Sequence, residues 1–315
     1  MTTPNWVLYA LNTLGPSNIQ NELQNMRTNN FTTIIIGMIH IGNHGDTLGD
    51  IIFNGGEPTL ISNGKIVFSG AQAWANQIAQ LKGGGSPVTK VYVSFGGGDT
   101  VVDFSTIKAI YENNGNSFEG TVLKKNLEIF RQVFRDNVLA FDGVDMDCED
   151  VYDLPSFVAF CEMMIGFGFS ITFCPFVAQS DFWTPAQQQL EAKHPGIVKW
   201  WNLQCYAGGG DNTPGDWTTP SMPDGFLIPG DWVRFWNPKP PVGWMGDCPT
   251  AMQAKFAGPG FKKQRCVGGG FVWDLDLVRD TMNQKGRPDN GCGLPNAVLY
   301  ASLYQAAMKE GLGWA

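Results

Sequence analysis

Short apolar runs, rich in β-branched and aromatic residues, recur along this chain and alternate with longer stretches of mixed polarity. They predict strands over residues 6–11, 32–38, 88–96, 138–147, 170–176, 198–206, 242–247 and 266–273. Most are apolar at successive rather than alternate positions, which fits strands covered on both faces, as in parallel sheets. The stretches between them predict helices over 19–29, 71–81, 118–135, 155–166, 184–192, 231–236, 250–256 and 295–309. The clearest is 118–135, where Val122, Leu127, Phe130, Val133 and Phe134 share one helical face. One interruption, 51–70, reads as a hairpin, with 51–53 and 65–68 flanking turn residues. Alternating β and α with short links indicates a parallel α/β architecture, and eight repeats favour a closed (β/α)8 TIM barrel over an open sheet. The 315 residues fit one such domain, spanning 1–315, with no internal repeat or low-complexity linker.

The strand expected at 138–147 carries the most informative chemistry. Its end and the residues after it read Phe141-Asp142-Gly143-Val144-Asp145-Met146-Asp147-Cys148-Glu149-Asp150. Asp145, Asp147 and Glu149 stand at alternate positions. A strand stacks their carboxyl groups on one face and turns Val144, Met146 and Cys148 to the other. Neighbouring carboxylates raise one another's pKa, which can leave an acid protonated near neutrality. Three readings of the spacing stand: a general acid, a site for a hard divalent cation, and a solvated strand edge. Val138, Leu139, Ala140 and Phe141 are too apolar for an exposed edge. They put the carboxyls at the end of a buried strand, where barrel enzymes keep their chemistry.

The stretch Asp142-Gly143-Val144-Asp145-Met146-Asp147-Cys148-Glu149 resembles the DGxDxDxE motif of glycoside hydrolase family 18, the chitinases and related endoglycosidases. Ser94-Phe95-Gly96-Gly97 is similar to the family's SxGG motif on the third barrel strand, and Gln204-Cys205-Tyr206 to its Q/M-x-Y motif on the sixth. Trp273 stands where the family has a last-strand tryptophan, and Tyr9 where a first-strand tyrosine is common. Cys148 departs from the large residue found at its position in many members, and is expected to face the surrounding helices. The resemblance implies a chitinase that cleaves β-1,4 linkages between N-acetylglucosamine units with retention, the substrate's own acetamide being the nucleophile. In that scheme Glu149 protonates the glycosidic oxygen and Asp147 orients the acetamide. Asp145 shares a proton with Asp147, supported by Tyr9 and Ser94. Tyr206 and Gln204 meet the acetamide, and Trp273 floors the cleavage site. Trp183 and Trp217, after the expected strands five and six, add aromatic surface on which sugar rings stack. Trp6, Trp74, Trp200 and Trp232 are expected in the core. The implied partner is chitin or N-acetylglucosamine oligosaccharides, with no cofactor, no metal and a monomeric chain. An endo-β-N-acetylglucosaminidase acting on N-glycans shares the barrel and the acid. Members that lack the terminal glutamate act as lectins, whereas Glu149 is present here.

Composition changes little in this picture. A net charge of −8 argues against a nucleic-acid partner, which rewards clustered Lys and Arg. No apolar run is long enough for a transmembrane helix, so no membrane partner is expected. The opening MTTPNWVLYA lacks the basic and apolar stretches of a secretory leader, although the resemblance implies secretion; localisation stays open. The cysteines are scattered without a CxxC pair, against a zinc site; Cys248 and Cys292 are candidates for one disulfide. The glycine runs match no phosphate-loop pattern, and His40 and His44 lack the context of a metal motif. The short separation of the last two expected strands leaves no room for an α+β insertion. An open groove and endo-type cleavage follow.

Overall fold

A computed structural model describes residues 3–42, 48–54, 58–98, 102–237, 242–283 and 297–314. Eight strands run parallel: β1 (Asn5–Ala10), β2 (Thr33–Ile41), β3 (Lys90–Gly96), β4 (Gly143–Asp147), β5 (Ser170–Phe173), β6 (Val198–Gln204), β7 (Leu227–Trp232) and β8 (Gly269–Trp273). Each pairs with its neighbour in sequence, and β8 pairs back onto β1, so the sheet closes into a barrel. Helices on the outside include Ile19–Arg27, Ala71–Ala79, Val122–Arg131, Leu154–Gly166, Thr184–Lys193, Pro249–Phe256 and Ala297–Leu312. Asp103–Asn113 and Leu275–Asn283 are further helices that the sequence reading passed over. Among the described residues, no helix is long and apolar enough to cross a membrane.

Two cores result from the strand alternation. One lies between barrel and helices, where Val144, Met146 and Cys148 all sit fully buried, as the carboxylate spacing required. The smaller one fills the barrel itself, with Val7, Tyr9, Ile35, Tyr92, Ile228 and Phe271. Gly230 has to be glycine there, because a Cβ would stand 2.1 Å from the Phe271 ring.

The seventh strand differs from expectation. Residues 242–247 were expected to form it and 231–236 a helix. Instead β7 is Leu227–Trp232, paired with β6 and β8, and residues Phe235–Asn237 and Gly243–Met245 form a separate antiparallel hairpin. Pro229 and Gly230 mask the strand in the sequence, since both are poor in strand interiors. Residues 233–268 therefore join β7 to β8, a longer stretch than expected. Their described part holds that hairpin and the helix Pro249–Phe256, with no separate α+β unit. The 51–70 interruption is likewise three short strands, Ile51–Phe53, Thr59–Ser62 and Lys65–Ile66, which extend the sheet from the end of β2. The helix expected at 118–135 runs Val122–Arg131 and continues as a wider turn, Gln132–Asp136. Cys292 and His44 lie outside the described residues.

Candidate active site

The parallel register aligns Ser94 of β3, Asp145 of β4 and Thr172 of β5 in one interior layer. Asp145 is fully buried there and accepts four hydrogen bonds. Tyr9 and Ser94 hydroxyls both donate to Oδ2 at 2.9 Å; Thr172 donates to Oδ1 at 2.6 Å and Asn202 at 3.0 Å. These donors come from β1, β3, β5 and β6. Burial raises the carboxyl of Asp145, and all four hydrogen bonds work against that rise. Two donors on each oxygen match the acceptor capacity of an ionised carboxylate.

One layer higher, Asp147 is also buried, and Gln204 on β6 bridges it to Glu149. The Gln204 amide donates to Asp147 Oδ1 at 3.1 Å and to Glu149 Oε1 at 2.9 Å. Burial, the nearby charges of Glu149 and Asp145, and a hydrogen bond with Glu149 hold Asp147 well above the usual carboxylate range. The Gln204 amide thus joins the two outer carboxyl groups of the ladder. Donors from four strands occupy both oxygens of Asp145. Cys174 sits fully buried beneath, 3.6 Å from the Gln204 amide.

Glu149 follows the strand and is half-buried, so the outermost carboxyl of the ladder is the one solvent reaches. The glycines of β3 shape its surroundings. Gly96 has φ +101°, and a Cβ there would meet the Asp147 carbonyl at 2.2 Å. The Gly97 N–H donates to that same carbonyl at 2.8 Å. A Cβ on Gly98 would stand 2.9 Å from Glu149 Oε2. Asp150 anchors the next residue to the start of helix Asp103–Asn113, accepting from Ser105 N–H and hydroxyl at 2.8 Å each.

An aromatic wall flanks the ladder. Tyr206 stacks at 28° on Trp273, with centroids 6.2 Å apart, and at 28° on Trp232, 5.4 Å apart. Tyr9 lies 5.0 Å from Trp273. Burial pushes the Tyr9 and Tyr206 hydroxyls well above the usual phenol range, so both stay protonated donors. Tyr9, Ser94, Asp145, Asp147, Glu149, Gln204, Tyr206 and Trp273 therefore converge as expected from the sequence.

Trp183 and Trp217 do not join them. Trp183 is fully buried in the outer core, packed by Phe157, Phe173 and Phe182. Trp217 is 6% exposed, packs near Trp201 and donates its indole N–H to Asn212 at 3.0 Å. Neither ring offers a face to a ligand. Trp232 moves the other way, from expected core to half-buried wall. Thr172 and Asn202 were also missed; a polar residue at an inward-facing strand position was the available signal. Among the described residues, no three His, Cys, Asp or Glu side chains are grouped to hold a metal ion.

No protein-family model matches the chain, and no curated protein matches it. Solved structures match by shape. A GH18 chitinase from Pseudoalteromonas aurantia matches with TM-score 0.56 and 15% identity, over 86% of this chain and 94% of that one. The chitinase Chi1 of the Yersinia entomophaga toxin complex matches with TM-score 0.50 and 12% identity, over 98% of this chain and 85% of that one. A tamarind chitinase-like lectin matches with TM-score 0.43 and 12% identity, over 86% and 94% of the two chains. The first two likenesses establish the architecture: this chain has the (β/α)8 barrel fold of those chitinases.

Proposed function

We propose that this protein is a glycoside hydrolase that cleaves β-1,4 linkages next to N-acetylglucosamine, as in chitin, by the substrate-assisted retaining route. The observation that carries the reading is the graded carboxylate ladder: Asp145 saturated with donors, Asp147 buried and bridged by Gln204 to Glu149, and Glu149 half-buried beside an aromatic wall. Glu149 gives its proton to the glycosidic oxygen as that bond breaks. The acetamide oxygen of the same sugar attacks the anomeric carbon and closes an oxazolinium ring. Asp147 faces the acetamide N–H and stabilises its growing positive charge. Tyr206, held protonated, donates to the acetamide oxygen and steers it. Water then opens the ring, with Glu149 taking the proton back.

Hydrolysis of N-acetylglucosamine oligosaccharides, followed by NMR, tests the reading. The first-formed product is expected as the β-anomer, and fully deacetylated chitosan is expected to resist cleavage. An initial α-anomer, or efficient cleavage of a polymer without acetamides, overturns the route. Binding without turnover would instead mark a lectin-like protein.

A further inference from the structure

Behind the aromatic wall, a cluster of charges joins the two strand ends that carry it. Lys255, on helix Pro249–Phe256, donates from Nζ to the Cys205 carbonyl at 2.5 Å and to Asp231 Oδ1 at 2.9 Å, with Asp247 Oδ2 4.0 Å away. Cys205 immediately precedes Tyr206, and Asp231 immediately precedes Trp232. The backbone is tied to the same groups. Trp232 N–H donates to Asp231 Oδ1 at 2.9 Å, and the Trp232 carbonyl accepts from Asp247 N–H at 3.1 Å. Cys205 N–H donates to the Gly230 carbonyl at 3.2 Å. The Asp231 side chain is 3% exposed. Burial raises it to about 7 against the pull of Lys255, and the Asp247 carboxyl pushes the same way. A buried charge group of this kind seldom adds stability over an apolar filling, so its value here lies in geometry.

We infer that Lys255 is a positioning residue, which, with Asp231 and Asp247, fixes Tyr206 against Trp232 and so sets the wall that receives a sugar ring. This inference rests on the saccharide reading of the site. It extends that reading to side chains that touch no substrate. Asp247 also stands at the base of the hairpin Phe235–Asn237/Gly243–Met245, so the same cluster anchors that element.

The test uses Lys255→Met and the double variant Asp231→Asn/Lys255→Met, which leaves no unpaired buried charge. KM for N-acetylglucosamine oligosaccharides is expected to rise roughly tenfold with kcat within about threefold, since lost orientation of a binding wall weakens binding first. Lys255→Arg keeps the cation and is expected to return KM towards the parent. Amide hydrogen exchange should quicken only in peptides covering 204–207, 230–236 and 245–248. An unchanged KM in both variants overturns the inference, as does faster exchange spread evenly through β1–β4. If the parent neither binds nor cleaves the oligosaccharides, the functional reading fails. The exchange pattern then decides the clamp alone: confined change supports it, uniform change or none overturns it.

Discussion

At the scale of single residues, the ladder separates chemistry from support. Glu149→Gln keeps the shape and the contact with Gln204 but has no proton to give. It is expected to cost at least ~10²-fold in kcat while oligosaccharide binding persists, measured by initial rates and calorimetry. Asp145→Asn has a different cost. It sets an amide N–H₂ against donors on a carboxylate that accepts from Tyr9, Ser94, Thr172 and Asn202. On the Oδ2 side the amide meets the Tyr9 and Ser94 hydroxyls, which can turn to accept, and its oxygen still accepts from Thr172 and Asn202, but the charge that strengthens all four bonds is lost. A loss of about 1–3 kcal/mol of stability is expected, read from urea unfolding, beside a reduced rate. Asp147→Asn should cost rate more than Asp145→Asn does. The sequence already indicated the carboxylates, because i, i+2, i+4 spacing on a strand admits only one face. It did not single out Thr172 and Asn202, whose one signal, a polar residue at an inward-facing strand position, gains meaning when the fold sets them beside Asp145. It misplaced Trp183 and Trp217 because a position near a strand end fixes height along the barrel, not the side to which a ring turns.

At the scale of elements, seven of the eight strands were legible from apolar runs, and the failure at β7 has a local cause. Pro229 and Gly230 interrupt the β-forming pattern, yet Gly230 is required by the Phe271 ring. Gly230→Ala is therefore expected to destabilise the barrel by about 1–3 kcal/mol or more, as overpacking does, and to lower the midpoint of thermal unfolding. Gly96→Ala meets two obstacles, a φ of +101° and the Asp147 carbonyl 2.2 Å from the new Cβ. It should lose both stability and activity, because the β3–β4 contact it disturbs also seats Asp147. The Pro229–Gly230 pair that obscures β7 also hides Trp232, since a residue in an apparent helix has no reason to face the ladder.

At the scale of the whole molecule, several buried acids give the fold a slope against pH. Asp231 is raised to about 7 and Asp274 to about 8, both chiefly by burial, and Asp145 and Asp147 are raised as well. The folded chain thus keeps protons that the unfolded chain loses near the ordinary carboxylate value of about 4. Each contribution is complete below that value and is lost as pH climbs through the folded one. The unfolding free energy is therefore expected to fall between about pH 5 and pH 8, by at most roughly 1.4 kcal/mol per unit for each group, and the unfolding temperature with it. Asp274→Asn should flatten its share of the slope; a temperature that rises over this interval would contradict the assignment. Among the described residues, the stretch joining β7 to β8 holds the hairpin Phe235–Asn237/Gly243–Met245 and the helix Pro249–Phe256 but no separate α+β unit. Early products from a soluble polymer should accordingly be mixed in length, and near-exclusive release of dimers would contradict an open groove. The placement of Asp145 has a longer reach. Its carboxylate on β4 is tied to β1, β3, β5 and β6, so five strands meet at one charge. Glu149, by contrast, could be exchanged with little effect on folding. On the proposed function, a descendant that abandoned hydrolysis would shed Glu149 early and retain Asp145 long afterwards, leaving a fossil of the carboxylate ladder at the centre of a protein that no longer cuts.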